Sequence, residues 1–179
     1  MIQRFFYAVS LIMALACTQV QAGGTYLTLN DFKADVFADN GGEKKALWLT
    51  KPRKEEALRV LGDSLNQARI RYHSDGETHL WVLSEIGKEK PITFGVVTHK
   101  GAIDRVEVMV FRESRGDEIR LPQYTAQYQG QRLTDDGELS SSVDGISGAT
   151  YSVRSMKKVA KLALLLDGWA AEDLSLIHI

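Results

Sequence analysis

The sequence predicts an α+β fold, an antiparallel meander sheet packed by helices, with the C-terminal helix starting at one Gly- and Ser-rich junction. Three observations predict it. Four segments of strand composition follow one another between residues 69 and 111, separated only by turn-forming clusters. A helical period runs from Val153 to about Gly168, amphipathic at first and then apolar almost all round, as in a helix packed deep against a sheet. Two shorter helical patterns precede the strands.

Taken in order, Arg4 precedes the apolar run Phe5 to Ala16, too short to span a bilayer comfortably, and Val20-Gln21-Ala22 offers small or modest residues at cleavage positions. This reads as a bacterial secretory signal peptide over residues 1–22, leaving a mature chain from Gly23 in the periplasm. The alternative is a lipoprotein anchored through Cys17, although Ala14-Leu15-Ala16-Cys17 lacks the usual leucine three residues before the cysteine. Cys17 is the only cysteine, so no disulfide can hold the mature fold and burial of a core must do so. Residues 23–173 are the size of one domain. Lys and Arg number 22 against 23 Asp and Glu, so there is no basic stripe for nucleic acid. No Cys-x-x-Cys-His occurs to attach a haem.

Leu29 to Ala38 reads as a helix capped by Thr28 or Asn30, with Leu29, Phe32, Val36 and Phe37 as its apolar side, and Asn40-Gly41-Gly42 breaks it. Ala46 to Leu49 is a brief apolar run of strand type, with Trp48 expected in the core. Thr50 then caps a helix with Pro52 at its first position that stops at Gly62. The strands are Arg69 to His73, Thr78 to Ile86, Ile92 to His99 and Ala102 to Phe111. Ile103, Arg105, Glu107, Met109 and Phe111 alternate against Asp104, Val106, Val108 and Val110, so one face is expected to be buried throughout and the other in part. Leu121-Pro122 to Tyr128 reads as a short helix ended by Gly130, and Leu133 to Val143 as a loop. Trp169 is expected to complete the core. Residues 174–179 resemble the translated end of a transposon-derived sequencing adaptor and are set aside as a non-native tail. The alternative is a real apolar tail, and His178 has no role on either reading.

The chemistry concentrates in Asp144-Gly145-Ile146-Ser147-Gly148-Ala149-Thr150-Tyr151-Ser152, ahead of the last helix. Glycines loosen the loop and a hydroxyl precedes the apolar period, which together make a helix start. Free amides and the macrodipole favour an anion there, so a phosphate on or beside Thr150 would be stabilised. Arg154, Lys157 and Lys158 are candidates to compensate its charge, or form a solvated helix face. Asp144 would repel a phosphate, which leaves loop hydrogen bonding or recognition by a modifying enzyme. His73, His79 and His99 lie on different strands without acidic or Cys partners at ligand spacing, so no metal site is expected.

Asp144 to Thr150 resembles the flavinylation motif, Asp-x-x-Ser/Thr-Gly-Ala-Thr/Ser, of the covalent FMN-binding domain. That domain occurs in flavin-carrying subunits of the sodium-pumping NADH:quinone oxidoreductase and of the Rnf complex, and in stand-alone periplasmic flavoproteins. The resemblance implies FMN carried on Thr150 through a phosphoester, attached by a separate magnesium-dependent flavin transferase that uses FAD. It places Ser147, Gly148, Ala149, Asp144 and Ser152 around the attachment point. A second stretch, Phe111 to Ile119, resembles the family's strand ending in Glu-Thr-Pro-Gly-Leu-Gly. It departs from it at Ser114, Arg115 and Asp117, as stand-alone members do. Glu113 would accept hydrogen bonds from the flavin ring or ribityl chain, or else pair with Arg112 or Arg115. Tyr124, Gln127 and Tyr128 would pack near the cofactor or simply in the core.

The resemblance implies a periplasmic electron-transfer flavoprotein in a membrane-associated redox chain, served by a membrane or periplasmic redox partner, with the flavin supplying the chemistry. No catalytic acid, base or nucleophile converges on the motif. Two other readings stay open: a flavin-dependent periplasmic reductase using Arg112, Arg115 or a His, and a non-redox secreted binding module in which Ser-Gly-Ala-Thr merely starts a helix. Serine peptidase chemistry at Ser147 fits poorly, since Gly-Ile-Ser-Gly lacks a paired glycine at elbow spacing.

Overall fold

The structure is a computed structural model that describes residues 23–38 and 41–177. The expected signal peptide with Cys17, the Asn40 of the predicted break, and His178 and Ile179 lie outside the described residues. No helix among the described residues is long and apolar enough to cross a membrane.

The fold is α+β, as the strand and helix patterns predict. The elements are β1 (Gly24–Thr25), α1 (Leu29–Phe37), β2 (Glu43–Trp48), α2 (Lys51–Leu61), β3 (Arg69–Ser74), β4 (Thr78–Ile86), β5 (Pro91–His99), β6 (Ala102–Phe111), α3 (Pro122–Thr125) and α4 (Thr150–Ile177), with 3-10 turns at Asp117–Arg120 and Ala126–Tyr128. One six-stranded antiparallel sheet runs β1-β6-β5-β4-β3-β2. β3 to β6 pair in chain order because tight turns between them leave antiparallel neighbours as the natural pairing, and β2 joins the outer edge of β3 across the connection that holds α2. The short β1 closes the far edge.

Helices cover the two faces. On one side α1 lays Phe32 and Phe37 over Leu80, Val97 and Met109. Thr28 caps this helix by accepting from the amide of Asp31. On the other side α4 buries Val153, Met156, Val159, Ala160, Ala163 and Leu166 against Trp81, Phe94, Val96, Val106 and Val108. This burial along the helix accounts for most of its stability, since apolar surface removed from water contributes about 25 cal/mol per Å2.

Three expectations need correction. Strict alternation in β6 fails at two bulges, where the register shifts between Thr93 and Phe94 and between Val97 and Thr98 of β5. Each bulge inserts a residue and reverses the facing, so Ile103, Val106, Val108 and Phe111 all join the α4 side while Met109 joins the α1 side. Trp48 is 58% exposed, not core; it sits on the edge strand β2 under the Arg69 guanidinium, 5.4 Å from its ring centroid. The last helix does not stop near Gly168 but continues to Ile177. There α2 docks on it: Arg53 donates to both carboxylate oxygens of Asp173 at 3.1 and 2.6 Å, and Trp169 Nε1 donates to Glu56 Oε2 at 3.0 Å. Trp169 is buried as expected.

Candidate functional site

The helix junction is assembled from three segments. The first is the motif itself. α4 begins at Thr150, and the Ala149 carbonyl accepts the first helical bond from the Val153 amide at 3.0 Å. Ala149, not a hydroxyl residue, is therefore the capping position, and it is buried. Its methyl side chain cannot accept from the first turn. The amides of Thr150, Tyr151 and Ser152 consequently have no acceptor among the described residues, and the Thr150 hydroxyl is exposed without a partner among them. Gly148 holds φ at 83°, and a Cβ there would meet nothing within 4 Å, so the approach to Thr150 is open. Ser147 is exposed and Ser152 buried.

The second segment is the loop after β6. Gly116 (φ 90°) packs so close to the helix that a Cβ would lie 2.5 Å from Ser152 Oγ. Glu113 is buried. No arginine pairs with it among the described residues: Oε1 accepts from the amides of Glu89 at 2.7 Å and Lys90 at 2.9 Å. Burial alone would raise this carboxyl, but the amides of Lys90, Glu89 and Lys88 outweigh it and hold it below the ordinary range. Glu113 thus fixes the turn between β4 and β5 beside the motif. Arg112 turns away, donating to Pro91 O at 3.0 Å and Thr93 Oγ1 at 3.2 Å.

The third segment is the helical stretch from Pro122 to Tyr128. Gln127 Oε1 accepts from the Asp144 amide at 2.9 Å, and the Tyr124 hydroxyl donates to Asp144 O at 3.3 Å. Asp144 therefore does its loop hydrogen bonding through its backbone. Tyr124 and Tyr128 are both buried, edge to face at 6.0 Å, which is core packing that reaches the motif from beneath. Burial pushes both phenols above their ordinary value.

The first two segments, with the turn between β4 and β5, line a cavity of about 440 Å3 that includes Thr150, Gly148, Ser152, Glu113, Arg115, and Lys88 beside Glu89. Its cations are not those the sequence singled out. Lys157 donates to Val143 O at 2.7 Å, and Lys158 binds Asp63 and Glu85 at 2.9 and 3.0 Å. Lys88 and Arg115, on loops distant in sequence, face the motif instead. Free amides, two cations and an open hydroxyl form a donor set that fits a phosphate group.

Sequence reasoning also missed a buried polar network on α4. Asp167 Oδ1 accepts from His79 Nδ1 at 2.7 Å and from Thr98 Oγ1 at 2.5 Å, while Oδ2 accepts from the Gly101 amide at 2.9 Å. Trp81 Nε1 donates to Thr98 Oγ1 at 2.9 Å. An Asp in the apolar half of the helix was its only available signal. Among the described residues no three His, Cys, Asp or Glu side chains are grouped to hold a metal.

No curated protein matches the chain at a significant level. Residues 87–165 match the family described as the FMN-binding domain. That span opens at Gly87, in the turn capped by Glu113, and closes within α4, so it takes in all three segments of the site. Residues 87–165 are thus similar to the FMN-binding domain family, a match that supports an FMN-binding domain over that span.

Proposed function

We propose that the chain is an electron carrier whose FMN is bonded through its phosphate to Thr150 Oγ1. The observation that carries this is the state of Thr150: an exposed hydroxyl on the first residue of a long helix, beside three amides without acceptors, in a cavity edged by Lys88 and Arg115. When bound, FMN supplies one- and two-electron chemistry. The protein's part is attachment, orientation and charge compensation. The amides of Thr150, Tyr151 and Ser152 would take the phosphate oxygens, with Lys88 and Arg115 offsetting the remaining negative charge. Ala149, by leaving those amides uncapped, keeps the position free for the phosphate.

Attachment is assigned to a flavin transferase. The Thr150 oxygen forms a new bond to the FMN phosphorus of FAD, the bond to AMP breaks, and the hydroxyl proton is released, with magnesium held by the transferase. Open space at Gly148 admits such an enzyme. The signal-peptide character of residues 1–22 supports a periplasmic location, where a covalent bond prevents loss of a cofactor that is costly to replace. Its electrons would pass to and from a membrane or periplasmic redox partner.

The test is the intact mass of the mature protein co-produced with a periplasmic flavin transferase, followed by fluorescence of the denatured band. An FMN-sized mass increment on the Thr150 peptide is expected, and Thr150→Val should remove it. The same variant should change stability by no more than about 0.5 kcal/mol, because the lost hydroxyl is exposed. A fully flavinylated Thr150→Val protein would refute the assignment.

A further inference from the structure

A second, larger cavity of about 680 Å3 adjoins the Thr150 site. Tyr151 is the single residue that lines both. The Thr150 cavity is walled by charged and polar groups, suited to a phosphate and a ribityl chain. Its neighbour sets apolar surface from Ile86, Leu139 and Val143 among charged and polar side chains, with Tyr151 at the shared rim and Arg154 inside it. Tyr151 and Ile86 are 48% and 57% exposed, large apolar side chains that the protein's own packing leaves uncovered. Their backbones are joined through one hydroxyl, since Ser155 Oγ lies 2.7 Å from Ile86 O and 2.9 Å from Tyr151 O. The pair is thus held at a fixed spacing.

The cations of this cavity differ from one another. Lys157, Lys158 and Lys161 are bound to Val143 O, to Asp63 and Glu85, and to Glu138. Arg154 has no hydrogen-bond acceptor among the described residues, and its Cζ lies 5.4 Å from the centroid of the Tyr151 ring. One face of that ring is thereby covered and one remains for stacking.

We propose that the isoalloxazine ring lodges in this second cavity, stacked on the uncovered face of Tyr151 against Ile86, with the Arg154 guanidinium on the opposite face of the tyrosine. The inference rests on the covalent-FMN reading above and adds where the ring goes and what tunes it. A phosphate fixed at Thr150 places the ribityl chain next to Tyr151, one residue along the helix. The ring then exchanges water for an aromatic face and an aliphatic side chain. Arg154, one tyrosine ring away, carries a positive charge with no carboxylate partner among the described residues; it favours the negative charge that reduction places on the flavin and so raises the midpoint potential.

The test uses the mature protein co-produced with the transferase, each sample first checked for the FMN mass increment. Flavin fluorescence is read in the folded state and again after denaturation, and the midpoint potential is measured against a reference dye. A stacked tyrosine quenches flavin emission, so wild type should brighten on unfolding. Tyr151→Leu should be several-fold brighter than wild type when folded, and Tyr151→Trp should stay quenched. Trp48→Leu, on the far edge of the sheet, should match wild type. Arg154→Gln should lower the potential. A flavinylated Tyr151→Leu protein as dim as wild type, or an unmoved potential in Arg154→Gln, would overturn the ring placement alone. Should Tyr151→Leu escape flavinylation, the Arg154→Gln potential decides. Wild type without the mass increment would instead overturn the covalent-FMN reading, and the ring placement with it.

Discussion

Replacing Asp167 by Ala tests what ties the second half of α4 to the sheet. The carboxylate is 3% exposed and accepts three hydrogen bonds, from His79, Thr98 and the Gly101 amide. A carboxylate only accepts, so His79 donates through Nδ1. One side chain thereby ties the helix to β4, to β5 and to the turn before β6. Its loss strands the His79 and Thr98 donors in the interior, each at about 1–3 kcal/mol, and leaves the half-buried Gly101 amide to water. They form one network, so the costs do not sum simply, and a total loss of about 3–5 kcal/mol is expected here. Against a total stability of about 5–15 kcal/mol this is severe. With a urea m-value of about 1–3 kcal/mol/M, the midpoint should fall by about 2 M. Asp167→Asn keeps one acceptor oxygen and should fall less. A loss below about 1 kcal/mol in Asp167→Ala would refute the reasoning. Where the variant remains folded, flavinylation of Thr150 should persist, because the network lies more than four helical turns from the hydroxyl.

Two further outcomes follow from the loops around the site. Glu113 has a folded carboxyl held below the ordinary glutamate value of 4.5, so its stabilisation is present above that value and disappears as pH falls through the folded one. Urea midpoints at pH 7 and pH 3 should therefore differ more for wild type than for Glu113→Gln, and equal differences would contradict the role given to Oε1. Gly148→Ala and Gly116→Ala form a pair. Both place a side chain at positive φ, at about 1–2 kcal/mol, but only at Gly116 would the new Cβ strike Ser152 Oγ, 2.5 Å away. Gly116→Ala should be the more destabilising in thermal unfolding, and the reverse order would show that the loop and helix do not pack as described.

The meander was legible because each strand carries its own composition and each turn its own breakers: β4 and β6 run over the residues that the pattern predicted. The bulges in β6 were not legible, since a bulge shows in the pairing partner rather than in the strand that carries it. Trp48 misled because apolar composition reports the tendency to be buried, whereas its place on an edge strand is a property of the whole sheet. Pairings distant in sequence were equally hidden. His79 meets Asp167 across 88 positions, and Lys88 and Arg115 reach the Thr150 cavity from two separate loops. The motif itself could be read, but which cations would face it depended on how Lys157 and Lys158 found acceptors closer by.

The cap position of α4 shows how stability and reactivity compete at this junction. A Ser, Thr, Asp or Asn at the residue before Thr150 would accept from a first-turn amide, and such caps contribute about 1 kcal/mol over Ala. Ala149 forgoes that contribution, and the helix tolerates the loss because Val153, Met156, Ala160 and Leu166 behind it are buried. Had the threonine itself been the cap, its hydroxyl would have been drawn into the same bond and lost to any incoming phosphorus. Set one residue further in, Thr150 keeps both its oxygen and the neighbouring amides free. Ala149→Ser separates the two demands: the added hydroxyl is small enough for a buried site beside Gly116, and it should raise the urea midpoint while lowering the yield of covalent flavin per hour of co-production. A variant both more stable and flavinylated at the wild-type rate would mean that the uncapped amides take no part in receiving the phosphate.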